Sequence, residues 1–227
     1  MRIPQPQGDK GSLKWIQIVI NDCPEILNRE IKSTGDIHEA EKITWVSPLR
    51  QDDYAEYRDN DFLDRLDIKL NQRSLNQFWP ERGPQWDGLG KSESGELFLV
   101  EAKAHIEELF SQCQAASEKS RSLISASLNE VRQFLGVDAA VDWSQVFYQY
   151  TNRLAHLYLL RQVNRLPAFL VNVYFCGDDM NGPKTSDEWR AALKVLKGVL
   201  VLGMNHKLRK YVVEAFVDVK EIKSPIA

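Results

Sequence analysis

The sequence predicts an α/β domain, and three observations carry that expectation. Residues 97–100, Leu-Phe-Leu-Val, are apolar at consecutive positions without alternation, as in a strand buried on both faces. Two further apolar runs, at 168–175 and 211–217, have strand length and follow polar or turn-rich stretches. Between and before these runs lie longer segments whose apolar residues recur at helical spacing.

Taken in order, residues 1–12, with two prolines and two glutamines in the first ten, read as a loose arm. Residues 13–32 read as a helix interrupted near Pro24. A short strand is expected at 43–46. A helix is expected over 53–70, with Glu56, Asp59, Leu63, Leu66 and Leu70 on one stripe. Residues 105–135 read as one long or broken helix ending at Gly136. A second helix is expected from Asp142, where Asp142-Trp143-Ser144-Gln145 fits a capping box. Its apolar stripe is Trp143, Phe147, Tyr150, Leu154 and Leu157, with Gln149, Asn152, Arg153 and His156 beside it. Residues 168–175 read as the last strand of the core sheet. A helix over 186–201, stopped at Gly203, and a final strand over 211–219 complete the chain.

The segment between residues 86 and 103 carries the chemistry. Ser92-Glu93-Ser94-Gly95 is a turn cluster, so residues 86–91 should fold back antiparallel onto 97–103. A turn centred near Ser94 sets Leu89 across from Leu99 and Asp87 across from Glu101. Cross-strand neighbours lie about 4.5–5.5 Å apart at Cβ, near enough for two carboxylates to share a cation. Strand alternation places Lys103 on the face of Glu101, while Gly88 and Gly90 face away and allow close packing of a helix. A one-residue slip would destroy the arrangement.

Two carboxylates are hard oxygen ligands suited to Mg²⁺ or Mn²⁺, and the carbonyl of Ala102 can add a third oxygen. Such an ion polarises a phosphoryl oxygen and activates a bound water, and a neighbouring lysine can orient that water, take its proton or stabilise developing charge. The acid-x-Lys triplet by itself says little, since the chain holds five: at 30–32, 67–69, 101–103, 218–220 and 221–223. Only the third joins a buried strand to an acid on the adjoining hairpin arm. The alternative reading is a salt-bridged strand end. Gly90-Lys91-Ser92 does not make a phosphate-binding loop, because Gln85 stands where that motif needs glycine and a strand, not a helix, follows.

In Asp87, Glu101 and Lys103, and in an order of elements traceable over residues 50–177, the chain resembles the PD-(D/E)XK nuclease superfamily. The resemblance implies a restriction-endonuclease-like three-layer sandwich, a mixed sheet flanked by helices with an αβββαβ core and extra helices. It also implies that Asp87 and Glu101 bind a divalent metal and that Lys103 assists the attacking water. One departure is visible: Pro84 lies three positions before Asp87, and Trp86 occupies the place the family gives to proline. The family commonly adds an acid from its first core helix, which points to Glu56. It also places a polar side chain from the helix behind the catalytic strand near the substrate phosphate, which points to Gln149 and Arg153. The implied activity is metal-dependent hydrolysis of nucleic-acid phosphodiesters, with DNA the expected substrate. A homodimer is compatible, as enzymes that cut both strands often pair. A catalytically silent nuclease-fold binding module and a structural interaction subunit stay open as alternatives.

Composition fits this frame. The 227 residues suffice for one domain, and 43% hydrophobic with 27% charged residues describes an ordinary globule. No signal-peptide core follows Met1-Arg2-Ile3-Pro4 and no apolar run approaches membrane length, so no membrane partner is expected. Cys23, Cys113 and Cys176 form neither a disulfide framework nor a zinc motif, which fits a reduced cytoplasm, and His38, His105, His156 and His206 show no ligand spacing. Net charge is −3 but unevenly spread: residues 143–177 hold no acid, and residues 188–210 hold six bases against Glu188. Such a locally basic surface suits a phosphate backbone, though solvated helix faces would look the same.

Overall fold

The computed structural model describes residues 1–33, 42–137 and 140–223; His38 lies outside the described residues. The elements run β1 (Arg2–Ile3), α1 (Gly11–Asp22), α2 (Pro24–Ser33), β2 (Ile43–Ser47), β3 (Glu56–Tyr57), α3 (Asn60–Arg65), α4 (Leu75–Phe78), β4 (Gly88–Ser92) and β5 (Leu97–Lys103). They continue with α5 (Glu118–Leu135), α6 (Tyr148–Tyr158), β6 (Ala168–Cys176), α7 (Ser186–Val199), β7 (Val212–Asp218) and α8 (Val219–Lys223). The result is an α/β fold around a mixed five-stranded sheet ordered β2-β4-β5-β6-β7, with a separate β1-β3 ribbon. The β2/β4 and β4/β5 pairs are antiparallel, and β5, β6 and β7 are parallel. Among the described residues no helix is long and apolar enough to cross a membrane.

Helices cover both faces of the sheet, and alternation along β5 sorts its side chains between two cores. Phe98, Val100 and Ala102 pack with Trp15, Val19 and Leu27 of α1 and α2. Leu97 and Leu99 pack with residues of α5, α6 and α7. Gly88 is required on the α1 side, because a Cβ there would come within 3.0 Å of Ile20 and 3.2 Å of Val100. At the hairpin tip Gly95 takes φ +92°, a conformation that favours glycine.

Several sequence expectations need correction. The arm is not loose: β1 pairs with β3, the Gln5 amide donates to Asp53 O, and the buried Gln17 bonds Pro6 O and Gly8 N. The expected helix over 53–70 is a short strand and then the six-residue α3. Asp53, Tyr54 and Asp59 take φ of 50°, 48° and 53°, which no α-helix accommodates. Of the two forms expected for 105–135, long or broken, the broken one is found. After a short 3₁₀ turn at Ile106–Leu109, Ser111 and Cys113 make backbone hydrogen bonds to Tyr148 and Ser144, and only α5 is helical. Asp142 makes no helix cap. Its carboxylate accepts from the backbone and hydroxyl of Ser144, and α6 begins at Tyr148 after Phe147 at φ 66°. Finally, β6 is not the last strand of the sheet, since β7 continues it in parallel from Leu170↔Val212 to Cys176↔Asp218.

Other expectations hold. Pro24 opens α2, Gly136 closes α5 at φ 72°, and the β4–β5 register pairs Leu89 with Leu99 and Gly88 with Val100.

Candidate active site

The ladder ends at the Gly88↔Val100 pair, and Asp87 follows as a bend just outside β4. Its backbone N–H donates to Val100 O at 3.1 Å, and its Oδ2 accepts from the Ala102 N–H at 2.7 Å. The Ala102 carbonyl lies on the same edge of β5 as that N–H, and so toward Asp87. On the other side, the Trp86 N–H donates to Tyr57 O at 3.1 Å and the two residues pair antiparallel. Glu56 and Asp87 flank this isolated bridge, near enough for Glu56 to raise the Asp87 carboxyl. Glu56 thus joins the site from β3, not from a helix.

Three carboxylates therefore adjoin on one face, and two cations answer them. Lys103 Nζ lies 2.5 Å from Glu101 Oε1. Arg153 on α6 approaches Glu101 Oε2 through Nη2 at 2.6 Å and Nε at 2.7 Å. Arg153 also donates to Gln85 O and Asn152 Oδ1, both at 2.8 Å, and its guanidinium lies over the Trp86 ring. Glu56 accepts from the Gln85 amide and, at 3.3 Å, from the Gln5 amide of the docked arm. Glu56, Glu101, Lys103 and Arg153 are each buried, and Asp87 is half-buried.

This arrangement divides the carboxylates electrostatically. Burial alone would raise Glu101, but Arg153 and Lys103 more than offset it and hold the group below the usual glutamate range. Burial pushes Glu56 up to about 7, aided by Glu101 and opposed by the Gln85 hydrogen bond. Asp87 is raised well above the ordinary range by burial, then by Glu101 and Glu56. Burial disfavours the Lys103 ammonium, yet Glu101 and Asp87 outweigh it and raise the group. Asp87 and Glu56 are thus carboxylates short of positive charge, which is the condition under which a cation would be welcome. Among the described residues no three His, Cys, Asp or Glu side chains form a metal centre. The donor set that fits is two carboxylates and the Ala102 carbonyl, a set suited to Mg²⁺ with waters completing its shell.

A cleft of about 880 Å³ opens beside this cluster, between the loop 79–85 and the segment 111–120, with Gln149 and Arg153 among its lining. Gln149, one turn before Arg153 on α6, faces the cleft and is not linked to the carboxylates by any hydrogen bond among the described residues. Arg153 is engaged with Glu101 and Gln85, so its primary contact is a carboxylate.

Comparison with known proteins supplies no relative: no family model matches the chain, and neither a curated protein nor a solved structure does.

Three site residues escaped the sequence reading. Gln85 sits two positions before Asp87, so strand alternation alone would have placed it nearby. Asn172, the register partner of Glu101, is a lone polar residue within the apolar run of β6, and its Nδ2 is buried without a partner among the described residues. Gln5 had no local signal, since only the tertiary docking of the arm brings it to Glu56.

Proposed function

We propose that the chain is a Mg²⁺- or Mn²⁺-dependent nuclease of the PD-(D/E)XK type, with a restriction-endonuclease-like fold, hydrolysing phosphodiesters of DNA. The observation that supports the reading is that Asp87, bonded by the Ala102 N–H, adjoins Glu101 and its ion pair with Lys103 at the end of the hairpin. Asp87, Glu101 and the Ala102 carbonyl would hold the ion, which would polarise a phosphoryl oxygen and lower the pKa of a bound water. Lys103 stays protonated beside Glu101 and Asp87, so its part is to orient the water and offset charge on the phosphate, not to take a proton. Glu56, held near neutrality, is the carboxylate suited to accept the proton of water. One P–O bond to that water forms, one P–O ester bond breaks, and Arg153 fixes the orientation of Glu101.

A second reading rests on one observation. Both oxygens of Glu101 are already taken, by Lys103 and Arg153, as in a closed ion-pair network of a silent nuclease-fold binding module or structural subunit. Incubation of the purified protein with DNA and RNA substrates and Mg²⁺ or Mn²⁺ separates the two. The nuclease reading expects cleavage that falls at least 100-fold in Asp87→Asn and in Lys103→Met. Cleavage at full rate in either variant, or none in the native chain, sinks it.

A further inference from the structure

The cleft beside the carboxylates is lined in an unusual way. Gln112, Gln114 and Gln149 border it, and none of their side-chain amides makes a hydrogen bond among the described residues. Its cations are Arg82 and Arg153, and Glu81 is the only acid among the lining residues. Arg153 ties the cleft to the site, since the same guanidinium bonds Glu101 and the carbonyl of Gln85.

Each feature bears on what the cleft would hold. A primary amide offers a donor and an acceptor side by side, the pattern that matches the hydrogen-bonding edge of a base. In a duplex the Watson–Crick edges are consumed by pairing, whereas in a single strand they are open to the protein. Proteins that grip duplex DNA neutralise many phosphates with Lys and Arg, and two arginines are far from that number. A volume of about 880 Å³ is that of a site enclosing a small ligand, enough for a few unpaired nucleotides but not for a paired helix.

We infer that the cleft binds single-stranded nucleic acid, its unpaired bases against the amides of Gln112, Gln114 and Gln149 and its backbone against Arg82, with Arg153 and Glu101 at the end of the cleft. This rests on the nuclease reading and deepens it: the substrate is a single strand or a frayed end. A duplex would need to open before a phosphate could reach the carboxylates.

Fluorescence anisotropy of the full chain in EDTA, which removes metal-dependent cleavage, tests this with a labelled single-stranded DNA 12-mer, the RNA of the same sequence, and a blunt DNA duplex. Single strands should bind at least tenfold tighter than the duplex, and equal binding of RNA and DNA supports the same cleft. The slope of log affinity against log salt should lie near −0.7, roughly the value for one phosphate contact on a single strand. Gln112→Ala combined with Gln149→Ala should weaken single-strand binding about tenfold with an unchanged melting curve. Duplex binding as tight as that of the strand, a salt slope steeper than about −4, an unmoved affinity in the double variant, or no binding would overturn the inference. The nuclease reading fails separately: strand binding as expected, without cleavage when Mg²⁺ or Mn²⁺ is restored, keeps the cleft and removes the reaction.

Discussion

On the side of α1 and α2 the central sheet presents Phe98, Val100 and Ala102 from β5, Val171, Val173 and Phe175 from β6, and Val213, Ala215 and Val217 from β7, all buried and all apolar. On the opposite side, at one level, it presents Glu101, Asn172 and Glu214 in register, continued outward by Asp87 and Glu56. Glu214 is answered by Lys197 at 2.5 Å and Glu101 by Lys103 and Arg153. Burying apolar surface stabilises a fold outright, whereas burying charge costs several kcal/mol per group and recovers it only through good partners. Apolar packing above and below the polar row, together with the wholly apolar face, stabilises the sheet without help from these charges. The polar row on the other face is weak evidence for stability and stronger evidence for a chemical task.

That contrast can be broken at either face. The largest effect belongs to the apolar side: Phe175→Ala should destabilise the protein by about 3–5 kcal/mol in urea unfolding, leaving a cavity at a fully buried position. A loss under about 1 kcal/mol would mean that this face is not the scaffold.

On the polar side, substitutions toward neutrality should stabilise. Glu56 holds its proton up to about pH 7 when folded, against an ordinary value of 4.5. Between these values the folded state binds more protons than the unfolded chain, so stability falls as pH rises through that window, by about 3 kcal/mol in total. Glu56→Gln should match the native chain near pH 4 and exceed it by about 3 kcal/mol at pH 8. Equal stability at both pH values would show that burial does not perturb Glu56.

The smallest effect is expected at Asn172, whose Nδ2 has no partner among the described residues. Asn172→Leu should stabilise by about 1–2 kcal/mol, since it removes an unpaired buried donor. A thermal melt that drops instead would reveal a partner for this amide, such as a buried water.

The two faces also differ in how far sequence reveals them. The hairpin could be read closely because its information is local: a doubly apolar run, a turn cluster and a glycine at the tip fix the Leu89–Leu99 register within a dozen residues. Glu56 was placed in the right neighbourhood on the wrong element. Positions 56, 59, 63, 66 and 70 imitate a helical stripe, and the left-handed residues Asp53, Tyr54 and Asp59 carry no glycine to announce the break. The clamp of Arg153 on Glu101 joins positions 52 apart, and the pairing of β6 with β7 joins strands more than 30 residues apart; neither contact leaves a periodic trace. Gln149 and Arg153 were recognisable as polar positions on an amphipathic helix, but which carboxylate Arg153 would meet depended on how α6 docks.

The clamp also implies an order of assembly. The hairpin from Asp87 to Lys103 can close by itself, as a short antiparallel pair with a small loop to order. Until α6 arrives, Asp87 and Glu101 face Lys103 alone. During synthesis Arg153 emerges about fifty residues after Glu101, so Glu101 gains its second cation only when α6 docks. A chain cut short before Tyr148 would carry the whole acid-x-Lys signature and still lack the cation that orients Glu101.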